Sequence, residues 1–224
     1  MNIDFHAHIL PGADHGSSSP ETSLRQVGLA RRAGIDVLAA TPHFYPNLEP
    51  LSEFLERRKQ AEIRLREALP ENAPKLLIGA ETHLCRGLEH MDSLEQLCFG
   101  GTKVLLLEMP HDFSIRAYEQ TLDALLYERK LTVVLAHIDR YPTSVVDFLL
   151  ELGFLAQINA ESFCHMRSRK RSMVWAKELQ SVVALGSDLH GCEIGYRDFL
   201  KMKERLGETY TTIMSRTQKL LGIE

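Results

Sequence analysis

Apolar and polar positions along this chain fall into two kinds of segment. Short runs rich in Val, Ile and Leu recur at 2–5, 36–40, 75–78, 104–107, 132–135, 154–158 and 182–185, with little internal alternation. Strands covered on both faces read this way, because neither side of the pleat meets water. Between them lie stretches of helical periodicity, among them 20–33, 51–68, 115–129, 143–152 and 172–179. The first carries its own end signals: Ser19 as N-cap, Pro20 at the first helical position and Gly34 just past the end. Strands alternating with helices in this way predict a parallel barrel or a doubly wound sheet.

The polar residues decide between the two. His6 and His8 follow the first strand, His43 the second and Glu81 the third; Glu108 closes the fourth and His137 the fifth. Asn159 follows the sixth, and Asp188 and His190 follow the seventh. In a parallel barrel all these ends open on one face, where barrel enzymes build their active sites. An open sheet would leave its outer strand ends far from a single crevice. The expectation is therefore one α/β domain over residues 1–224, built as a seven-stranded, TIM-like parallel barrel.

Composition narrows the field further. A hydrophobic fraction of 44% in 224 residues supports one sizeable core. A formal charge of −4 and a pI near 6.2 give no reason to expect nucleic acid as partner. One basic run, Arg167-Ser-Arg169-Lys170-Arg171, reads either as a solvated helix start or as a rim that attracts an acidic substrate. Cys85, Cys98, Cys164 and Cys192 have no CxxC spacing, which argues for free thiols and against thiolate zinc. The chain opens without a basic or apolar leader, and no apolar run approaches the roughly 20 residues of a membrane span. A cytoplasmic protein without membrane insertion is the expectation, and helix faces leave its oligomeric state open.

His6-Ala-His8 places two imidazoles on the same side of a strand end, and Asp188-Leu-His190 repeats the spacing on the last strand. Glu81 and Glu108 supply carboxylates able to bridge cations; His43 and His137 add nitrogen donors. A His/Asp/Glu set without Cys suits zinc, manganese or iron, and eight donors exceed what one tetrahedral ion needs. Two or three ions so held would polarise a phosphoryl oxygen and lower the pKa of water. Just past the fifth strand, Arg140 reads either as a grip on phosphate or as a surface ion pair with Asp139 or a neighbour, and Arg197 is a weaker candidate of the same kind. His83, His90, His111 and His165 read as surface or rim residues, with His111 the one to check first because it follows Glu108 by three. Gln157 and Asn159 read as lining the cavity or as a polar cap on the sixth strand.

Taken together, Asp4-Phe-His6-Ala-His8, Thr41-Pro-His43, Gly79-Ala-Glu81, Leu107-Glu108, Ala136-His137-Ile-Asp-Arg140-Tyr141, Gln157-Ile-Asn159 and Ser187-Asp188-Leu-His190 resemble the PHP (polymerase and histidinol phosphatase) superfamily. Within it they resemble the bacterial capsule-type, manganese-dependent protein tyrosine phosphatases. The resemblance spans about residues 1 to 200. It implies a distorted seven-stranded barrel holding three divalent ions, manganese foremost, with iron or zinc as alternatives. It also implies one-step attack by a metal-activated hydroxide, with no phosphocysteine intermediate. The implied substrate is the phosphorylated tail of a tyrosine autokinase of capsular or exopolysaccharide synthesis. The implied metal ligands are His6, His8, His43, Glu81, Glu108, His137, Asp188 and His190, with Arg140 on the phosphate.

The chain departs from that pattern in places. Asp14-His15-Gly16 stands where these phosphatases carry Asp before Gly, which makes His15 a ninth ligand candidate and leaves Asp14 as the alternative. The stretch from Gly191 to Arg197 also differs, as does the C-terminal segment from Ser215, which lacks an Asn-Pro signature. Two other functions compete with the tyrosine phosphatase: a small-molecule phosphatase acting on a substrate such as histidinol phosphate, and a non-catalytic, metal-stabilised PHP module. A nuclease would call for a basic track that is missing.

Overall fold

The computed structural model describes residues 1–111, 113–191 and 194–223. Cys192 lies outside them. Among the described residues, nine parallel strands follow seven strand lines: β1 (Ile3–Ala7), β2 (Val37–Ala40) continued by β3 (His43–Phe44), β4 (Lys75–Ile78) continued by β5 (Glu81–His83), β6 (Val104–Glu108), β7 (Thr132–Leu135), β8 (Leu155–Asn159) and β9 (Val182–Gly186). The pairing order β1-β2-β4 forms one sheet and β3-β5-β6-β7-β8-β9 the other. A parallel bridge from Ala7 to Leu189, with the His8 N–H donating to the Leu189 carbonyl at 3.0 Å, brings the last strand line back beside the first. The result is the expected distorted (β/α) barrel.

The distortion sits where the second and third strand lines break. Pro42 has no N–H to give to the ladder and splits β2 from β3. Opposite it, the break between β4 and β5 falls at Gly79. A Cβ there would lie 2.7 Å from the Phe99 ring, so only glycine lets that ring close against the wall. Among the described residues β4 has no strand partner beyond β2, and a 3-10 turn over Phe99–Gly101 fills the place beside it. The sequence reading ended these two strands before His43 and Glu81; the structure resumes each of them at its polar residue, and His43 pairs with Glu81 in register.

Helices α1 (Pro20–Arg32), α2 (Leu51–Ala68), α3 (Ile115–Asp123), α4 (Thr143–Glu151), α5 (Met166–Glu178), α6 (Ile194–Leu206) and α7 (Glu208–Leu221) surround the strands. Ser19 caps α1 by accepting the Thr22 N–H at 3.3 Å, as its sequence predicts. The predicted helix 115–129 ends in a π turn over Ala124–Glu128, and α5 begins six residues earlier than its apolar pattern showed. β1, β2 and β9 are buried along their whole length, consistent with walls covered on both faces. One continuous core runs from Ile3 and Phe5 through Phe54 and Phe99 to Phe199 and Ile213.

Candidate metal centre

The C-terminal ends of the strands converge on a cluster of imidazoles and carboxylates. Three groups of donors lie close enough to hold a cation: His6, His8 and Glu81; His8, His43 and His190; and His43, Glu81 and Glu108. His6, His8 and Glu81 are fully or almost fully buried, and His43 nearly so. His137 Nε2 stands 2.8 Å from Glu81 Oε1 and 3.6 Å from Glu108 Oε1. Asp188 Oδ1 lies 3.6 Å from His6 Nε2 and 3.4 Å from His8 Nε2. All eight donors read from the strand ends therefore meet at one place.

Hydrogen bonds behind the cluster fix which nitrogens face it. Gln157 Oε1 accepts the His137 backbone N–H at 2.7 Å, which orients that amide oxygen, and it also accepts from His6 Nδ1 at 3.2 Å. Asp14 Oδ2 accepts from His8 Nδ1 at 2.6 Å, and the Asp188 carbonyl accepts from His190 Nδ1 at 2.9 Å. Each of these three rings thus turns the lone pair of Nε2 inward. His6 Nε2 and His8 Nε2 then sit 3.1 Å apart, each 3.2 Å from Glu81 Oε2. Two lone pairs and a carboxylate oxygen cannot satisfy one another, whereas a shared cation satisfies all three.

Orphaned atoms carry the same message. Glu81 Oε2 and His43 Nδ1 are buried, 2.9 Å apart and without a hydrogen bond, and His137 Nδ1 is buried without a partner. Buried polar atoms are ordinarily satisfied, so this concentration at one site fits ligands for positive ions. His43 offers Nδ1 to one donor group and Nε2, 3.4 Å from His190 Nε2, to the other; as a neutral imidazole it can serve one of them. Burial pushes His190 down to about 4, so it is a neutral donor at neutral pH.

Asp14 and His15 part company. Both Asp14 oxygens are engaged, Oδ2 by His8 and by the His43 backbone N–H at 2.9 Å, and Oδ1 by the Gly16 N–H at 2.9 Å. His15 is exposed, and its ring stacks on His43 at 4.6 Å and His190 at 4.9 Å. It stands at the rim of the cluster, outside the three tight donor groups. Arg140 is in place, with its guanidinium donating to Asp188 Oδ2 at 2.6 Å beside Asn159 Nδ2 at 2.9 Å. Arg197 is not: it is exposed on the first turn of α6, and no hydrogen bond or ion pair among the described residues joins it to the cluster.

Several residues at the site escaped the sequence reading or were undervalued by it. His83 approaches Glu108 Oε2 at 3.3 Å, whereas His111 is exposed. Tyr45 stacks 5.4 Å from His43 and lies tilted 5.5 Å from His83, and burial, then the charges of Glu108 and Glu81, push its hydroxyl up to about 12. Asp4 accepts the Ser187 N–H at 2.8 Å and the Tyr196 hydroxyl at 2.7 Å, clamping β1 to the end of β9 under His6. The alternation Asp4-x-His6-x-His8 was the available signal for Asp4; nothing in the sequence marked Tyr45.

The family model for capsular polysaccharide synthesis proteins of the CpsB/CapC type matches residues 2–219. The chain belongs to this family. A chain from the crystal structures of YwqE of Bacillus subtilis and CpsB of Streptococcus pneumoniae, described as unique metal-dependent tyrosine phosphatases, superposes with a TM-score of 0.81 at 25% identity, covering 98% of this chain and 94% of the other. A TatD-like protein of Archaeoglobus fulgidus matches at TM-score 0.58 and 13% identity over 99% and 100% of the two chains, a likeness of fold alone. Among curated proteins no sequence matches. Family, fold and donor set together make this CpsB/CapC chain a metal-dependent hydrolase of the PHP type.

Proposed function

We propose that this CpsB/CapC-family protein is a manganese-dependent protein tyrosine phosphatase. Its substrate would be the phosphorylated tail of a tyrosine autokinase of capsular or exopolysaccharide synthesis, met in the cytoplasm by one domain spanning residues 1–224. The observation that carries the reading is the set of inward-facing lone pairs of His6, His8 and His190 around Glu81, with the Arg140 guanidinium beside them. A solved structure that matches 98% of this chain is described as that of a metal-dependent tyrosine phosphatase. No helix among the described residues is long and apolar enough to cross a membrane.

Divalent cations bound here would polarise the phosphoryl oxygens and acidify a water. Every other part of the work belongs to the chain. Gln157 and Asp14 hold protons on His6 Nδ1 and His8 Nδ1 and so keep both Nε2 atoms free for metal. Arg140, 42% exposed, can exchange its Asp188 partner for non-bridging phosphoryl oxygens and stabilise the charge that grows on them. His190 at 29% exposed and Arg140 bring the cluster to the surface, which suits a phosphate carried on a protein side chain.

The test is an activity matrix of manganese, iron, zinc and cobalt against a phosphotyrosine peptide, a phosphoserine peptide and histidinol phosphate. The proposal expects the phosphotyrosine peptide to be turned over fastest, with manganese. Arg140→Ala should lower kcat/KM by about 100-fold, the scale of one lost charge-stabilising donor. Turnover of histidinol phosphate with none of the phosphotyrosine peptide would redirect the reading to a small-molecule phosphatase. Metal binding with no turnover of any ester would leave a non-catalytic module.

A further inference from the structure

Away from the metal centre, the N-terminal half of α5 gathers charge of one sign. Arg167, Arg169, Lys170 and Arg171 fall within its first six residues, on a chain whose formal charge is −4. No acidic residue stands in its first turn and no side chain caps it. Cations at this end of a helix oppose its dipole, so the run does not serve helix stability. Arg167, Arg169 and Lys170 are exposed, and none makes a side-chain hydrogen bond or ion pair among the described residues.

The patch has shape and an address. Arg169, Lys170 and Met173 of α5 and Arg205 of α6 line an open hollow of about 540 Å³. Met166, 87% exposed, adds an apolar surface at the helix start. Arg171 stacks over Trp175 at 4.7 Å and donates to the backbone carbonyls of Asp139 and Tyr141, the loop that carries Arg140. Ser172 Oγ donates to Ser162 Oγ at 2.9 Å and fastens the helix to the turn that follows β8. The free cations therefore extend outward from a helix tied to the phosphate-gripping loop.

We infer that the exposed face of α5, with Arg205, is a docking surface for acidic residues flanking the target phosphotyrosine. This rests on the phosphotyrosine reading for the reacting group but adds a separate recognition element. Such a surface lowers KM and speeds encounter, weakens with salt, and leaves chemistry at the metal centre untouched.

The experiment compares parent and Arg167→Glu/Arg169→Glu/Lys170→Glu enzyme, with Arg167→Gln/Arg169→Gln/Lys170→Gln as a charge-neutral variant. Substrates are phosphotyrosine peptides with acidic or neutral flanks and p-nitrophenyl phosphate. The parent should favour acidic flanks by about tenfold in kcat/KM, chiefly through KM, three exposed pairs each contributing a fraction of that. Both variants should lose the preference while hydrolysing p-nitrophenyl phosphate like the parent. In parallel, fluorescence anisotropy measures binding of an unphosphorylated Asp/Glu-rich peptide, which needs no turnover. A parent that binds this peptide but hydrolyses no phosphotyrosine would defeat the catalytic reading and leave the docking surface standing. Equal turnover of both flanks by the parent, a preference that survives in the variants, or capture of anionic lipid vesicles or RNA with no peptide binding would overturn it.

Discussion

Gln157→Leu should unfold the protein more readily and loosen its metals together, because one buried amide holds three groups. Its Oε1 accepts the His137 N–H at 2.7 Å and approaches His6 Nδ1 at 3.2 Å, and its Nε2 donates to Asn159 Oδ1 at 2.9 Å. Gln157 is fully buried, so water cannot replace what the leucine removes. Each orphaned donor or acceptor costs about 1–3 kcal/mol, which puts the loss of all three at roughly 3–9 kcal/mol if none finds a new partner. Stabilities are commonly about 5–15 kcal/mol, so the variant should be visibly marginal in urea. Freed from Gln157, His6 can move its proton to Nε2 and withdraw its lone pair from the cluster. Metal affinity should fall about 10–100-fold, as when other supports behind a ligand are lost. Gln157→Glu separates the contributions, since it keeps the acceptor for both N–H groups and loses only the donor to Asn159. Urea denaturation without metal and manganese titration by calorimetry read the two effects. A leucine variant within about 1 kcal/mol of the parent and equal to it in manganese affinity would refute the assignment of Gln157 as the hub.

Three further outcomes are expected. Gly186→Ala places a Cβ 2.6 Å from His6 Cβ and 2.9 Å from Gln157 Nε2, so it should cost about 1–3 kcal/mol by thermal melt and weaken manganese binding; an unchanged melt would show that β9 gives way freely. His15→Asp should keep activity but change the order of metals that support it, measured with the same cation series; an identical order would remove His15 from the ligands. Cys98, buried and pushed up to about 12 by burial and then by Glu95, should resist alkylation in the folded protein at pH 8 and react once unfolded, read by mass spectrometry of its peptide.

The strand ends were legible because their chemistry is carried by residue type and position alone. His6-Ala-His8 after an apolar run identifies two inward rings without knowledge of any partner, and the eight donors collected this way meet in space. What the sequence withheld depends on register across the barrel. That Gln157 on β8 should support His6 on β1 and His137 after β7 follows from how those three strand lines stagger, and no local pattern encodes it. Asp14 and His15 illustrate the same limit at a distance of one residue. Spacing makes either a ligand candidate, and it does not carry the turn at Gly16: a Cβ there would meet the backbone carbonyl of His8 at 2.6 Å, so the loop closes tightly and folds the Asp14 carboxylate onto His8 Nδ1. Arg197 misled for the opposite reason, since proximity in sequence to His190 says nothing about which way the first turn of α6 faces.

Two ligand candidates also hold left-handed backbone conformations, which are uncommon for any residue but glycine. His137 has φ 32° and Asp188 φ 51°, two of the four non-glycine residues with positive φ among those described. Each such conformation costs about 1–3 kcal/mol and persists only when its surroundings over-determine it. Here the surroundings are visible: the His137 N–H is held by Gln157, and the Asp188 N–H donates to the His6 carbonyl at 2.8 Å while Arg140 and Asn159 hold its side chain. A left-handed residue at the end of β7 or β9 turns the chain sharply off the barrel wall, bringing His137 to Glu81 and Asp188 to His6 and His8. Glycine would relieve the strain but carries no donor. That a histidine and an aspartate stand there instead, each braced by hydrogen bonds from neighbouring strands, argues that this geometry is maintained for the cations it surrounds rather than for the stability of the barrel.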